Sequence, residues 1–168
     1  MKTNDQPARF NGPAELRFVR ILPGPIERVW DFLADVSRLP AWFGDARFDP
    51  RPGGAVTLMG GHIRGLVTAC HPPRRLTYTW NVFSPGESES AYPESYVSFE
   101  LQPHGEEVRL ILTHLPVLER FEKQTAMGWH TFLDMFTQAV RGHPVEPRDV
   151  SMRRNAALYG VDLSNLAR

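Results

Sequence analysis

Histidines are the side chains of this sequence best suited to proton transfer or metal binding near neutral pH. There are six of them. None lies in an H-x-x-x-H helix motif or beside a pair of cysteines, so the sequence lacks the ligand spacing of a dedicated zinc site. His130 and Asp134 lie four residues apart on a predicted helix, and we interpret them as part of a solvated polar face. The sequence therefore predicts no metal site and no cofactor.

His114 ends a run in which Val108, Leu110 and Leu112 occupy alternate positions. Alternation with a period of two places these four residues on one face of a strand, so His114 is predicted to point inward. Three roles stay open for it: a buried histidine with satisfied hydrogen bonds, a polar contact to a bound ligand, or a general base.

Aromatic residues recur with the period of a strand and then with the period of a helix. Tyr78 and Trp80 share one face of a predicted strand with an apolar residue before them, and a helical apolar stripe follows later in the chain. Such residues either pack a core or line a ligand cavity. We predict a cavity lined by Tyr78, Trp80, Phe99, Leu110, Leu112, His114, Trp129, Phe132, Leu133 and Phe136.

The composition argues against several classes of function. The 168 residues include 19 basic and 19 acidic side chains, and without a basic excess the chain is not predicted to bind nucleic acid. The single Cys70 excludes an intrachain disulfide. No apolar run reaches the roughly 18–20 residues of a membrane span, and residues 1–12 lack the apolar core of a secretory signal. We therefore expect a cytoplasmic protein without membrane insertion.

Sequence motifs of common catalytic sites are also missing. There is no nucleophile elbow, no phosphate-binding loop and no paired-carboxylate motif. The glycine pairs at 53–54 and 60–61 lack a strand–loop–helix context, and tight hairpin turns explain them better. Enzymatic activity is left open, and a binding protein is favoured.

The elements that must position these residues follow from the hydrophobic periods. A strand at 16–22 is followed by Pro25, which suits the first turn of a helix, and by a second short helix. Strands joined by short Gly/Pro turns then indicate an antiparallel meander. A long amphipathic helix runs from about 118 to 141. Its aromatic stripe should face the sheet, and its exposed face should carry His130, Asp134 and Gln138.

These elements predict an α+β domain with one curved antiparallel sheet of about six or seven strands. The sheet wraps around the long C-terminal helix, and two short helices follow the first strand. We place a flexible leader at 1–14, the domain at 15–142, and a C-terminal extension with a short helix at 143–168.

Five stretches, in order along the chain, resemble one superfamily. They are R-I-L-P-G-P-I-E-R-V-W-D-F-L-A-D-V-S-R-L-P-A-W at Arg20–Trp42, F-D-P-R-P-G-G at Phe48–Gly54, G-L-V-T-A-C-H-P-P-R-R-L-T-Y-T-W at Gly65–Trp80, L-I-L-T-H at Leu110–His114 and G-W-H-T-F-L-D at Gly128–Asp134. Together they resemble the START-like, or SRPBCC, superfamily. Within it they are most similar to the group named after the activator of heat shock protein 90 ATPase homologue (C-terminal domain). The resemblance implies the helix-grip fold, also called Bet v 1-like.

The resemblance implies a small apolar or amphipathic ligand held between the sheet and the long helix. It places Trp42 and Phe43 at the cavity mouth, where they either gate the entrance or simply hold the short helix in place. It also makes Arg20, at the end of the first strand, a candidate polar contact, with a surface or ion-pair role as the alternative. Two alternatives stay open. One is a polyketide cyclase- or hydrolase-like enzyme in which His114, Tyr78 or Arg20 polarises the substrate. The other is a chaperone-associated interaction module. Chaperone activators carry a further N-terminal domain that this chain does not accommodate, so a chaperone contact is the less favoured partner. A homodimer is left open.

Overall fold

The computed structural model describes residues 3–10, 14–90 and 92–167. Eight strands and four α-helices make up this part of the chain. The strands are β1 (Arg9–Phe10), β2 (Leu16–Pro23), β3 (Ala46–Phe48), β4 (Ala55–Leu58), β5 (Ile63–His71), β6 (Arg75–Val82), β7 (Ser95–His104) and β8 (Glu107–Leu115). The helices are α1 (Ile26–Ala34), α2 (Pro40–Phe43), α3 (Glu122–Val140) and α4 (Arg148–Tyr159).

The strands form one antiparallel sheet in the order β1-β2-β8-β7-β6-β5-β4-β3. Strands β5 to β8 are sequential neighbours, and β2 closes on β8, which brings the first long strand beside the last. The helices α1, α2 and α3 pack on the face where the apolar side chains of these strands point. This is the predicted helix-grip arrangement. The two strands that the sequence did not predict, β1 and β3, are too short to show an alternating pattern.

The local sequence explains why β5 and β6 pair so closely. Gly65 lies where a Cβ atom would come within 1.9 Å of the Thr79 carbonyl oxygen, so only glycine fits without moving the neighbouring strand. The register between the two strands shifts between Val67 and Ala69, and a bulge of this kind increases the local twist of a sheet.

The apolar stripe of α3 is buried against the sheet, as the helical period predicted. Its four residues are Trp129, Phe132, Leu133 and Phe136. The prediction for the opposite face was wrong, because His130 is only 4% exposed and the side chains of Asp134 and Gln138 are partly buried. The reason is α4, which packs along that face of α3. A short helix was predicted in this extension, but no local pattern indicates where it packs.

The segment predicted as a flexible leader carries regular structure where it is described. Thr3–Asp5 is a turn of 3-10 helix, and β1 pairs with β2. The Asn4 side chain donates from Nδ2 to the Ile21 carbonyl at 2.7 Å and accepts from the Ile21 N–H at 2.6 Å. These contacts hold the described part of the leader on β2. Residues 1, 2 and 11–13 of that leader lie outside the described residues.

Across the residues that the structure describes, no helix is long and apolar enough to cross a membrane.

Phe136 tests the core that α3 forms with the sheet. Its side chain is fully buried, so we expect Phe136→Ala to lower the free energy of unfolding by about 3–5 kcal/mol. Val36 is exposed in the loop after α1, and Val36→Ala should change the stability by less than about 0.5 kcal/mol. Urea unfolding followed by circular dichroism measures both. A loss below about 1 kcal/mol for Phe136→Ala would contradict this core.

The domain boundary predicted at residue 142 has its own test. Every fully buried apolar residue of the main core cluster lies between Leu16 and Val140, whereas α4 binds α3 mainly through polar side chains. A fragment of residues 1–142 should therefore unfold cooperatively, at a lower midpoint than the full chain because the α4 contacts are lost. Differential scanning calorimetry measures this. A fragment without a cooperative transition would show that α4 belongs to the domain.

Candidate functional site

Ten residues were predicted to line a cavity, and the structure brings all of them to the inner face of the sheet or to the facing side of α3. Nine are buried, and Trp80 alone among the ten is half-buried. The Trp80 ring lies 5.1 Å from the ring of Trp129 and 6.4 Å from the ring of Tyr78, centroid to centroid. The predicted wall is therefore a cluster of aromatic rings that reaches the surface at Trp80.

Trp42 and Phe43 do not lie at an open mouth. Both are 1% exposed, and they project from α2 into the space between the sheet and α3. The Trp42 ring lies 4.9 Å from Phe136, and the Phe43 ring lies 4.7 Å from Phe132. The indole Nε1–H of Trp42 donates to the Phe32 carbonyl at 2.8 Å. These two side chains are therefore packed in the interior, with their rings against those of α3.

Two surface pockets in the described part of the chain lie away from these aromatic residues. One is on the outer face of the sheet near the leader, and the other lies between the leader, α3 and α4. Neither is lined by any of the ten predicted residues or by Trp42 and Phe43.

His114 is held by hydrogen bonds on both ring nitrogens. The indole of Trp129 donates to His114 Nδ1 at 2.9 Å. Since an indole can only donate, Nδ1 is the acceptor and Nε2 carries the proton. Nε2–H then donates to the Ser95 hydroxyl at 2.8 Å, and that hydroxyl donates to the Trp80 carbonyl at 3.2 Å. A continuous series of hydrogen bonds thus connects α3 to β8, β7 and β6.

Burial controls the ionisation of the polar groups in this interior. It lowers the pKa of His114 to about 4, because the surroundings disfavour the charged ring. It raises the pKa of the Tyr78 phenol for the same reason. Both groups are therefore neutral at physiological pH. The Tyr78 hydroxyl makes no hydrogen bond to other described residues.

Arg20 faces inward, but it does not meet His114. Along the β2–β8 pairing, Arg20 is opposite Leu110 while Leu16 is opposite His114, which separates the two positions by about 13 Å along the strand. Arg20 is 1% exposed. Its Nη1 donates to the Val19 carbonyl at 2.8 Å, and Nε and Nη2 find no hydrogen-bond partner among the described residues.

Arg20 instead lies beside a polar cluster that sequence reasoning missed. His130 Nδ1 is 2.8 Å from the Tyr159 hydroxyl, which also accepts from the Ala8 N–H at 2.9 Å. The Asp134 carboxylate accepts from Asn155 at 3.0 Å. Residues from the leader, α3 and α4 thus meet at the outer side of α3. In the sequence, only the spacing of His130 and Asp134 indicated this cluster, because Ala8 and Tyr159 are far from them along the chain.

His130 is also neutral in this cluster. Burial lowers its pKa to about 4, and the nearby Asp134 carboxylate opposes that shift while the positive charges of Arg20 and Arg154 add to it. The pKa of Arg20 itself is lowered, first by burial, and is raised in turn by Asp134, Tyr159 and Asp5. The cluster fastens α4 and the leader to α3.

Several residues at the border of the core remain partly exposed, among them three near the Trp80 end of the sheet. Met59, Trp80 and Val82 pack against the core yet remain half-buried. Met59 has φ of 52°, a left-handed backbone conformation that is uncommon for a residue other than glycine, and residues held in it are found at ligand sites more often than elsewhere. This end of the interior therefore combines accessible apolar surface with a strained backbone.

Within the described ranges, no group of three or more His, Cys, Asp or Glu side chains is placed to hold a metal ion.

Comparison with known proteins places the chain in a family. Residues 23–141 match the family model described as "Activator of Hsp90 ATPase homolog 1-like protein", and the chain belongs to that family. No curated protein matches the sequence.

Solved structures share the fold. CalU16 from Micromonospora echinospora is 27% identical with a TM-score of 0.70, over 87% of this chain and 86% of that chain. A protein from Bordetella parapertussis is 29% identical with a TM-score of 0.71, over 97% of this chain and 92% of that chain. An HSP90 activator from Plasmodium falciparum is 19% identical with a TM-score of 0.64, over 78% of this chain and 98% of that chain. At that identity the last likeness shows the fold alone.

The two buried histidines predict how stability depends on pH. Both have folded pKa values of about 4, below the unfolded value of about 6.5, so the folded state binds fewer protons between these pH values. Stability is then fully present above about pH 6.5 and is lost as the pH falls toward 4, by about 1.4 kcal/mol per pH unit for each histidine. Urea unfolding at several pH values measures this slope.

Substitutions show which histidine causes this dependence of stability on pH. His114→Gln and His130→Gln should each remove about half of it, whereas His71→Gln, at an exposed position, should leave it unchanged. An unchanged slope in both buried variants would mean that neither histidine is held neutral by the fold.

Proposed function

We propose that the protein binds a small apolar or amphipathic molecule at the Trp80 end of its aromatic core. The observation that carries this proposal is the half-buried indole of Trp80, stacked beside Tyr78 and against Trp129. An apolar ligand covering this surface would remove aromatic area from water, and each square ångström so removed contributes about 25 cal/mol. Membership of a family with a helix-grip fold is consistent with a site at this position.

The surroundings of Trp80 favour a ligand with one or two hydrogen-bonding groups. The Trp80 indole N–H makes no hydrogen bond with other described residues, and the Tyr78 hydroxyl lies on the neighbouring inward position of the same strand. The groups further inside are neutral and mutually bonded, as His114 is to Ser95 and Trp129. A multiply charged ligand would find no charged partner there, so an uncharged or weakly polar molecule fits best.

Deeper occupation of the interior would require α2 to move. Trp42 and Phe43 fill the space between sheet and helix, and exposing each of them to water would cost about 1.5–3 kcal/mol. Gly44, which follows α2, has a φ of 77° and gives the chain a turning point there. A ligand larger than the Trp80 surface would have to compensate this cost, so we place the site at the surface end.

A catalytic role is less well supported by the geometry. His114 has both ring nitrogens engaged, so it is not free to accept a proton from a substrate without breaking the Trp129 or Ser95 bond. Arg20, the second candidate group, lies about 13 Å away along the strand. His114 and Arg20 therefore do not converge on one point.

A protein-interaction module is the second candidate function. Leu66, Tyr96 and Leu115 are exposed on the outer face of the sheet. Tyr96 is the register partner of both Leu115 and Thr79, and the Thr79 hydroxyl contacts the backbone of Leu66, so the three form a row across four strands. Exposed apolar rows of this kind are typical of surfaces that bind another protein.

One pair of variants separates the two candidates. The uncharged dye Nile red should bind the full chain with a micromolar dissociation constant, and Trp80→Leu should weaken binding at least tenfold, or about 1.4 kcal/mol. Tyr96→Leu is the matched control, because Tyr96 is 44% exposed on the opposite face. Fluorescence titration gives both constants. Equal affinity of the Trp80 variant and the wild type would refute the proposed site, and loss of binding in the Tyr96 variant alone would move it to the outer row.

A further inference from the structure

The pocket on the outer face of the sheet is lined by positively charged side chains, whereas the core is apolar and aromatic. It encloses about 320 Å³ between the leader, β2 and the ends of β7 and β8. Alternation along β2 turns Arg17, Val19 and Ile21 away from α3, so this pocket and the aromatic interior lie on opposite faces of the same strand. It is independent of the ligand site proposed above.

The pocket concentrates positive charge in a chain with no net charge. Three arginines line it, Arg9, Arg17 and Arg109, together with His104, and no carboxylate is among its lining residues. None of the three arginines forms an ion pair with any residue that the structure describes. Arg109 donates to the neutral Gln102 side chain at 3.3 Å. The nearest carboxylate along this contact is that of Glu100, which accepts from Gln102 Nε2 at 2.9 Å and does not line the pocket.

The strand register makes this arrangement costly without a ligand. Arg9 is directly opposite Arg17 in the β1–β2 pair, and like charges facing each other across adjacent strands destabilise a sheet. Arg109 is opposite Ile21, four positions along β8 from the residue opposite Arg17, about 13 Å away. Positive charges therefore stand at both ends of the pocket, and an anion between them would turn repulsion into attraction.

The walls indicate the size and type of that anion. The floor between the arginines is apolar, formed by the half-buried Val19 and Ile21. The leader forms one side and is held in place by the two hydrogen bonds between Asn4 and Ile21 and by the Arg20 contact to the Gln6 carbonyl. The volume lies at the lower end of the range of small-molecule sites. Guanidinium groups match the geometry of phosphate and bind it through paired hydrogen bonds.

We propose that this outer pocket is a binding site for a small phosphate-bearing molecule in solution, with Arg17 and Arg109 engaging its anionic groups from the two ends and Arg9 contributing from the leader. A ligand with two charged groups, such as a diphosphate, uses both ends of the pocket. An apolar portion of the ligand would rest on Val19 and Ile21.

Pyrophosphate titrated into the full chain by isothermal calorimetry tests the proposal. We expect saturable binding that weakens as sodium chloride is raised, because added salt screens exposed charges. Arg17→Gln and Arg109→Gln should each weaken binding at least tenfold. Arg47→Gln is the control, since Arg47 is an exposed strand arginine on β3 at the other edge of the sheet, and it should bind as the wild type does.

Thermal unfolding supplies a second readout that does not depend on heat of binding. Pyrophosphate should raise the melting midpoint of the wild type and of Arg47→Gln, and leave that of Arg17→Gln unchanged. Sodium sulfate at equal ionic strength measures the general salt effect. Equal shifts in all variants, or equal shifts with sulfate and pyrophosphate, would overturn the proposal.

The source of the phosphate is tested with vesicles. Phosphatidylcholine vesicles with and without phosphatidic acid are sedimented with the protein, and we expect neither to carry it down. Binding to the phosphatidic acid vesicles that is lost in Arg17→Gln, together with no response to pyrophosphate, would overturn a soluble ligand in favour of a lipid headgroup.

Discussion

The long helix α3 is buried on two opposite sides, and the rest of the structure is arranged around that constraint. One side carries the aromatic stripe that closes the sheet, and the other is covered by α4 and the leader. Polar side chains on a helix buried in this way must find partners inside the protein. His130, Thr131 and Asp134 do so through Tyr159 and Asn155 of α4, so the polar residues of α3 determine where α4 lies.

A second polar connection joins α3 to the sheet from the inside. The bond from Trp129 to His114 continues to Ser95 and to the backbone of β6. Each donor in this series of hydrogen bonds has one acceptor, so His114 and Ser95 are buried with their hydrogen bonds satisfied. Both ring nitrogens of His114 are engaged by these bonds, which is why we propose the ligand surface at the neighbouring Trp80 and not at the histidine.

Strand β2 shows how one element can serve two unlike surfaces. Its inward residues, with Phe18 as an example, join the core, while its outward residues form the arginine-lined pocket with β8 and the leader. The period of two keeps these surfaces about one sheet thickness apart. The apolar or weakly polar ligand and the phosphate-bearing ligand that we propose would therefore occupy separate faces of the sheet.

What the sequence determined by itself was the long strands, the helices and the inward face of each, while the short strands β1 and β3 were not predicted. The alternation along β2 and β6 to β8, and the helical stripe of α3, are local patterns, and burial of an apolar face follows from them directly. These patterns, together with the family resemblance, predicted the helix-grip fold. They also placed the ten predicted residues on the inner side of the sheet and of α3, where nine of them are buried. The five motif stretches narrowed the same fold to its family.

Only the tertiary structure decided what the buried residues do. The sequence shows that Trp42 and Phe43 are large apolar residues. Whether their rings border a cavity or fill it depends on the volume left between the sheet and the helix. The burial of His130 depends on α4, and the pairing of Arg9 with Arg17 depends on the leader; both segments lie outside the predicted domain of residues 15–142. Ala8 and Tyr159, which meet through a hydrogen bond, are 151 residues apart, and no local pattern reports a contact over that separation.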